Sequence, residues 1–176
     1  MTKQELADRI RAASFLEGTF TLRSGRTSNF YVDKYLFETQ PEILAEVGKR
    51  LAEHVGGATT RIAGAELGGV ALAAATSMAC GLPFLIVRNK KKDYGTSRDF
   101  EGALEKGDGI LLVEDIATTG GQVLEAAKTL TEAGARVEKI VAVVDRMEGA
   151  RENIEGAGFA FDALLNARDL RLPGVA

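Results

Sequence analysis

Glu114 and Asp115 stand side by side in the segment Ile110-Leu-Leu-Val-Glu-Asp-Ile-Ala-Thr-Thr-Gly-Gly-Gln122. An apolar run precedes them and a turn of threonines and glycines follows. Two adjacent acids can accept hydrogen bonds from neighbouring sugar hydroxyls. Thr118, Thr119, Gly120 and Gly121 can wrap hydroxyls and backbone N–H groups around an anion, and a helix opening there adds the positive end of its dipole. Acceptors for sugar hydroxyls beside a phosphate cradle describe a site for ribose 5-phosphate. The turn is not a Walker A loop, since no Gly-Lys-Ser/Thr follows, and the dinucleotide fingerprint Gly-x-Gly-x-x-Gly is absent.

These residues need a sheet to hold them. Residues 110–113 are continuously apolar and branched, as in a parallel strand covered on both faces. The two acids are therefore expected at the strand's C-terminal end, where open α/β sheets place their ligands. Thr2-Lys-Gln-Glu5 is a capping box that starts a helix with Leu6, Ile10 and Ala13 on one face. Short strands are predicted at 20–22 and 30–32, joined by a turn at Ser24-Gly25-Arg26. Pro41 begins a second helix with Ile43, Leu44, Val47 and Leu51 on its apolar face. Strands then alternate with helices: strands at 61–64, 83–87, 110–113, 139–144 and 159–164, and helices at 70–80, 122–133 and 150–155. The alternation predicts an α/β fold with a mostly parallel central sheet flanked by helices. Residues 88–106 break the pattern. They show no apolar period, and five basic residues face one acid between Arg88 and Arg98. A stretch that long inside a compact domain points to a lid over an anionic ligand.

Composition narrows the classes. The chain has 176 residues, enough for one domain with its own core and too few for two. A net charge of −3 argues against general nucleic-acid binding. A single cysteine, Cys80, excludes an internal disulfide framework and suits a reducing compartment. The only histidine, His54, has no metal-ligating neighbours in sequence. No apolar stretch approaches membrane-spanning length and the N-terminus lacks a signal-peptide pattern, so the expectation is a cytoplasmic protein.

The 110–122 segment closely resembles the phosphoribosyl-diphosphate (PRPP) signature of type I phosphoribosyltransferases. Three further segments resemble the orotate branch of that family. They are Phe20-Thr-Leu-Arg-Ser-Gly-Arg-Thr-Ser-Asn-Phe-Tyr31, the basic run Val87-Arg-Asn-Lys-Lys-Lys-Asp-Tyr-Gly-Thr96 closing with Phe100-Glu-Gly102, and Val143-Val-Asp-Arg146. Gly64-Ala-Glu-Leu-Gly-Gly-Val-Ala-Leu-Ala73 is similar to the family's pyrophosphate-side loop, though without the lysine found there in some relatives. Within the basic run, Asn89 stands where a common family pattern has a second basic residue, and Tyr94 where it has His.

The resemblance implies a type I phosphoribosyltransferase fold over residues 1–176, with a small N-terminal hood in residues 1–35 and a mobile catalytic loop over about 88–106. It implies transfer of ribose 5-phosphate from PRPP to orotate, giving orotidine 5′-monophosphate and pyrophosphate. The implied PRPP contacts are Arg88, Lys92, Glu114, Asp115, Ile116, Ala117, Thr118, Thr119, Gly120, Gly121 and Gln122, with Arg88, Lys92 and Asp115 in the chemistry. Orotate would meet Arg23, Phe30, Tyr31, Thr118 and Arg146, although either aromatic serves equally well as core. Mg2+ is the implied cofactor, at Glu114 and Asp115 directly or through water. A homodimer with loop residues acting in trans is implied as well, with neither nucleic acid nor membrane as a partner. Two other functions fit the same motifs: transfer to a different base, and a regulator that senses PRPP without turning it over.

Overall fold

The first helix forms where its capping box predicts. The computed structural model describes residues 1–21, 25, 27–89 and 99–174. In it α1 (Lys3–Ser14) opens with the Glu5 N–H donating to Thr2 Oγ1, while the Thr2 N–H donates back to the Glu5 carboxylate at 2.7 Å. Leu6, Ala7 and Ile10 are fully buried. Strands β1 (Phe15–Thr21) and β2 (Thr27–Val32) pair antiparallel in a sheet of their own, with Phe15 opposite Val32. Both run longer than the predicted pieces. The Phe15 and Phe30 rings stack at 5.6 Å and hold the strands together beyond the segments that alternation marks.

Helix α2 (Lys34–Glu38) follows at once and is absent from the sequence-based elements. Five residues are too few to display a helical period. Asp33 caps it, its carboxylate accepting from the Tyr35 N–H at 3.1 Å. Helix α3 (Pro41–Ala52) has its proline in the first turn and buries Ile43, Val47 and Leu51.

From there the chain alternates through β3 (Arg61–Ala65), α4 (Gly68–Cys80), β4 (Phe84–Val87), β5 (Phe100–Glu101), β6 (Gly109–Ala117), α5 (Gly121–Glu132), β7 (Arg136–Asp145), α6 (Ala150–Gly156) and β8 (Phe161–Asn166). The sheet order is β5-β4-β3-β6-β7-β8. All neighbours are parallel except the short edge strand β5, antiparallel to β4. The α/β class and the mostly parallel sheet are as the sequence predicts. Strand β6 explains its own composition. Leu111 and Val113 enter the core beneath α1, α3 and α4, while Ile110 and Leu112 enter the one beneath α5 and α6. Both faces are covered, so residues 110–113 are all apolar, and each such side chain contributes roughly 1.5–3 kcal/mol on leaving water.

Two boundaries differ in ways that matter for function. Strand β6 continues to Ala117, so Glu114 and Asp115 lie within its bonded length rather than past its end. The long β7 carries the ladder on, with Glu114 opposite Ala142 and Ala117 opposite Asp145. The apolar run ends earlier than the strand because two acids, themselves buried, take the place of apolar side chains while the pairing continues. Second, the basic loop is pinned closer to its centre than 88–106 suggests. Val87 pairs with Phe100 and the Arg88 N–H donates to the Asp99 carbonyl at 2.9 Å. A two-residue edge strand is too short to carry a period-2 signal.

The chain leaves β3 on one side to reach β4 and returns on its other side as β6. This reversal is a topological switch point, and the crevice beyond the strand C-termini is where such sheets bind ligands.

Candidate active site

The turns that follow β3 and β6 face each other across that crevice. Asp115 lies at its floor, 2% exposed, and Glu114 beside it is 6% exposed. Asp115 Oδ1 accepts from the Ile116 N–H at 2.5 Å, and Oδ2 forms a 2.6 Å ion pair with Lys34 Nζ. The carboxylate packs against the first turn of α4. A Cβ on Gly68 would fall 1.6 Å from Asp115 Oδ2, so only glycine permits the approach.

The electrostatics of this floor are unusual for a folded core. Glu38, on α2, is buried, and its Oε1 has no hydrogen-bond partner among the described residues. Burial first, and the Asp115 charge second, push its carboxyl up to about 8. Glu114 is raised for the same two reasons in the same order. Burial alone would lower Lys34, but the pairing with Asp115 outweighs it and raises the ammonium's pKa. An ammonium thus sits among three carboxyls, two of them held toward their neutral form.

On the far side of the acids, residues 118–121 turn into α5. Thr118 and Thr119 are exposed. Gly120 adopts φ 79°, a left-handed conformation suited to glycine, and its N-terminal position on α5 carries no side-chain cap among the described residues. Hydroxyls, backbone N–H groups and the helix dipole therefore converge on one exposed turn. Helix α6 props it from behind, where Asn153 Nδ2 donates to the Thr119 carbonyl at 2.9 Å. Ile116 packs against the core, and Ala117 is buried, its carbonyl accepting from the Arg146 N–H at 2.9 Å.

That last bond sets Arg146 at the crevice rim. Its guanidinium pairs with Glu148 at 3.0 Å and lies 5.6 Å from the centroid of the Phe30 ring. Phe30, stacked on Phe15, acts as packing and as a wall beside Arg146 at once. Tyr31 points the other way along β2, 43% exposed and 5.6 Å from Phe20. Arg88 pairs with Glu101 at 3.3 Å at the base of the basic loop. Arg23 and Lys92 lie outside the described residues, as do Lys90, Lys91 and Tyr94.

Lys34 and Glu38 carry no signal in the sequence motifs and are brought in by the fold, and Glu66, within the 64–73 segment, is met there by a residue distant in sequence. The Asn89 N–H donates to Glu66 Oε1 at 2.8 Å, and Asn89 Nδ2 donates to the Glu66 carbonyl at 2.7 Å. Gln122 Nε2 reaches the same carbonyl at 3.3 Å. Asn89 thereby ties the ends of β3 and β4 to the start of α5, a task for an amide rather than a cation. Among the described residues no three His, Cys, Asp or Glu side chains gather as a metal site, and no helix is long and apolar enough to cross a membrane. His54, just beyond α3, lies 3.1 Å from Lys139 Nζ, remote from the crevice.

Comparison with known proteins agrees with this geometry. Residues 37–163 match the family described as the phosphoribosyl transferase domain. The chain is 44% identical over 171 residues to an orotate phosphoribosyltransferase of Natronomonas pharaonis, covering 97% of this chain and 98% of that protein. Among solved structures, the Mycobacterium tuberculosis orotate phosphoribosyltransferase in complex with Fe(III) dicitrate superposes with a TM-score of 0.86 at 34% identity, over 97% of this chain and 99% of that one. The same organism's enzyme in complex with PRPP gives 0.81 at 31% identity, over 97% and 99%.

Proposed function

The chain belongs to the orotate phosphoribosyltransferases, within the phosphoribosyl transferase domain family, and from that membership we propose how its own residues divide the work. The enzyme transfers the 5-phosphoribosyl group of PRPP to orotate, producing orotidine 5′-monophosphate and pyrophosphate in pyrimidine synthesis. The observation that carries the site assignment is the buried Glu114–Asp115 pair set against the uncapped 118–121 turn at the switch point.

Breaking the C1–O bond puts positive charge on the ribose and negative charge on the departing diphosphate. Catalysis then requires cations at the leaving group, anions near the ring and little water. Asp115 and Glu114 take the ribose hydroxyls. Thr118, Thr119, Gly120 and Gly121 take the 5′-phosphate through hydroxyls and N–H groups, flanked by Ile116, Ala117 and Gln122 in the same loop. Arg88 and Lys92 are assigned to the diphosphate, Lys92 from a second copy of the chain in a homodimer. Arg146 meets the orotate carboxylate, for which a guanidinium offers a two-pronged fit. Arg23, Phe30 and Thr118 complete the base pocket, while Tyr31, set against Phe20 on the other side of β2, is left outside it. A cytoplasmic location is part of the same proposal, supported by the single cysteine.

The donor set also suits magnesium. Only carboxylate oxygens are offered, and too few to enclose an ion, which fits a hard cation held mostly by substrate oxygens. Glu114 and Asp115 would hold it, directly or through water. When bound it supplies charge neutralisation to the diphosphate.

The test is the loss of orotate absorbance with PRPP and magnesium, with uracil, hypoxanthine and adenine run in parallel. Orotate alone should turn over, and Arg146→Ala should raise the orotate KM while leaving that for PRPP nearly unchanged. Turnover of another base would overturn the base pocket. PRPP binding without turnover of any base would point to a sensor.

A further inference from the structure

Lys34 belongs to none of the segments that resemble a motif, yet the fold brings its ammonium to the floor of the crevice. Its helix is short and anchored by Phe37, which is fully buried. Lys34 lies three residues before Phe37 and four before buried Glu38, so all three share the inward side of α2. Its side chain is 28% exposed. Nζ lies 2.6 Å from Asp115 Oδ2 and 3.2 Å from the place a Cβ would occupy on Gly68. The charge therefore hangs over the first turn of α4, a thirteen-residue helix whose N-terminus has no side-chain cap among the described residues.

The substrate's own shape says what belongs there. PRPP carries its 5′-phosphate and its 1-diphosphate at opposite ends of the ribose, with the 2′ and 3′ hydroxyls between. With the 5′-phosphate on the 118–121 turn and the hydroxyls on Glu114 and Asp115, the diphosphate falls on the β3 side of those acids. That is where the α4 N-terminus and Lys34 converge. The β3-side turn supplies no other charge for it: Glu66 is acidic and bonded to Asn89, and Leu67, Gly68 and Gly69 are neutral. An ammonium has three donors, so one can stay on Asp115 while two face the diphosphate.

Resting on the PRPP assignment above, we infer that Lys34 is a diphosphate-binding residue, supplying from helix α2 the cation that the 66–69 turn lacks. A simpler role is open to the same ion pair, in which Lys34 merely neutralises and orients Asp115. The two roles act on different halves of the substrate. A diphosphate ligand should be felt in the binding of inorganic pyrophosphate. An orienter of Asp115 should be felt in the binding of ribose 5-phosphate.

The experiment is calorimetric titration of pyrophosphate, and separately of ribose 5-phosphate, into the full chain with magnesium present, comparing wild type with Lys34→Met. Loss of a charge-assisted contact should weaken pyrophosphate about tenfold or more and leave ribose 5-phosphate within about twofold. Loss of ribose 5-phosphate alone, equal loss of both, or loss of neither overturns the assignment. If stranding the Asp115 charge prevents Lys34→Met from folding, the same titrations are made on Lys34→Met/Asp115→Asn against Asp115→Asn, with the same outcomes deciding. The PRPP assignment itself is judged on the wild type by orotate turnover, so its failure would be seen independently.

Discussion

Replacing Gly68 with alanine should damage both stability and PRPP use, against what helix propensity alone would give. In the first turn of a helix, Gly→Ala ordinarily stabilises by up to ~1 kcal/mol. Here the new Cβ would sit 1.6 Å from Asp115 Oδ2 and 2.8 Å from its Cγ, so the carboxylate must move. Its side chain is 4% exposed, and its other oxygen already accepts from the Ile116 N–H. Moving it parts the 2.6 Å pair with Lys34. Crowding of a filled site costs ~1–3 kcal/mol. Parting a fully buried pair costs ~3–5 kcal/mol, but Lys34 keeps some contact with solvent and Asp115 can rotate into the crevice, which lowers that figure. A combined cost of about 2–4 kcal/mol follows. At about 3 °C per kcal/mol for a domain of this size, the melting temperature should fall by roughly 6–12 °C.

Thermal melts and the PRPP KM are the assays, the latter rising about tenfold or more as the ribose loses its acid. Gly57→Ala is the control, because a Cβ there meets nothing within 4 Å, and it should stay within ~0.5 kcal/mol of wild type. A cycle with Asp115→Ala isolates the cause. In that background the clash is gone, and Gly68→Ala should cost less than ~1 kcal/mol. A Gly68→Ala protein that melts like wild type, or that loses as much stability without Asp115 as with it, would refute the close approach.

Two other expectations concern the neighbours of this contact. Glu38 is raised from 4.5 to about 8 by burial and the Asp115 charge, so the folded state holds a proton that the unfolded chain releases over that window. Its contribution is intact below about pH 4.5 and is lost as pH rises through about 8, so Glu38→Gln should melt with a smaller decline than wild type between about pH 6 and pH 9; parallel declines would contradict the shift. Asn89→Ala removes the Nδ2 bond to the Glu66 carbonyl, worth ~0.5–1.5 kcal/mol, and should lower the melting temperature by roughly 2–5 °C while raising the PRPP KM. If melt and KM both match wild type, Asn89 is no clamp.

How far the sequence could be read depended on how far each contact reaches along the chain. The core strands were legible because burial on both faces leaves a continuous apolar run, and β6 with β7 shows it in full. The 118–121 turn was legible because strand, acids, turn and helix are consecutive. The β3 side of the crevice is different. Lys34, the 66–69 turn and Asn89 come from three separate stretches of the chain, and their meeting is a product of the fold. Asn89 shows the consequence most clearly. Compared with a family pattern it is a missing cation, whereas in space it is the amide that bonds Glu66.

The same crevice holds the fold's clearest departures from what stability alone would select. Glu38 keeps a carboxylate oxygen without a partner among the described residues. Glu114 and Glu38 both have pKa values raised by burial and by Asp115. An apolar residue at either position would avoid the cost of bringing a second or third acid next to a buried carboxylate. Local rules are broken where a chain must do chemistry, and other parts of the fold offset the cost. A ligand that presents hydroxyls to Asp115 and Glu114, phosphate to the 118–121 turn and diphosphate to Lys34 would use Glu114 directly, while Glu38 acts on Lys34 and Asp115 through its charge alone. Glu114, Asp115 and Lys34 then each gain a partner in the substrate beyond those they have in the protein alone.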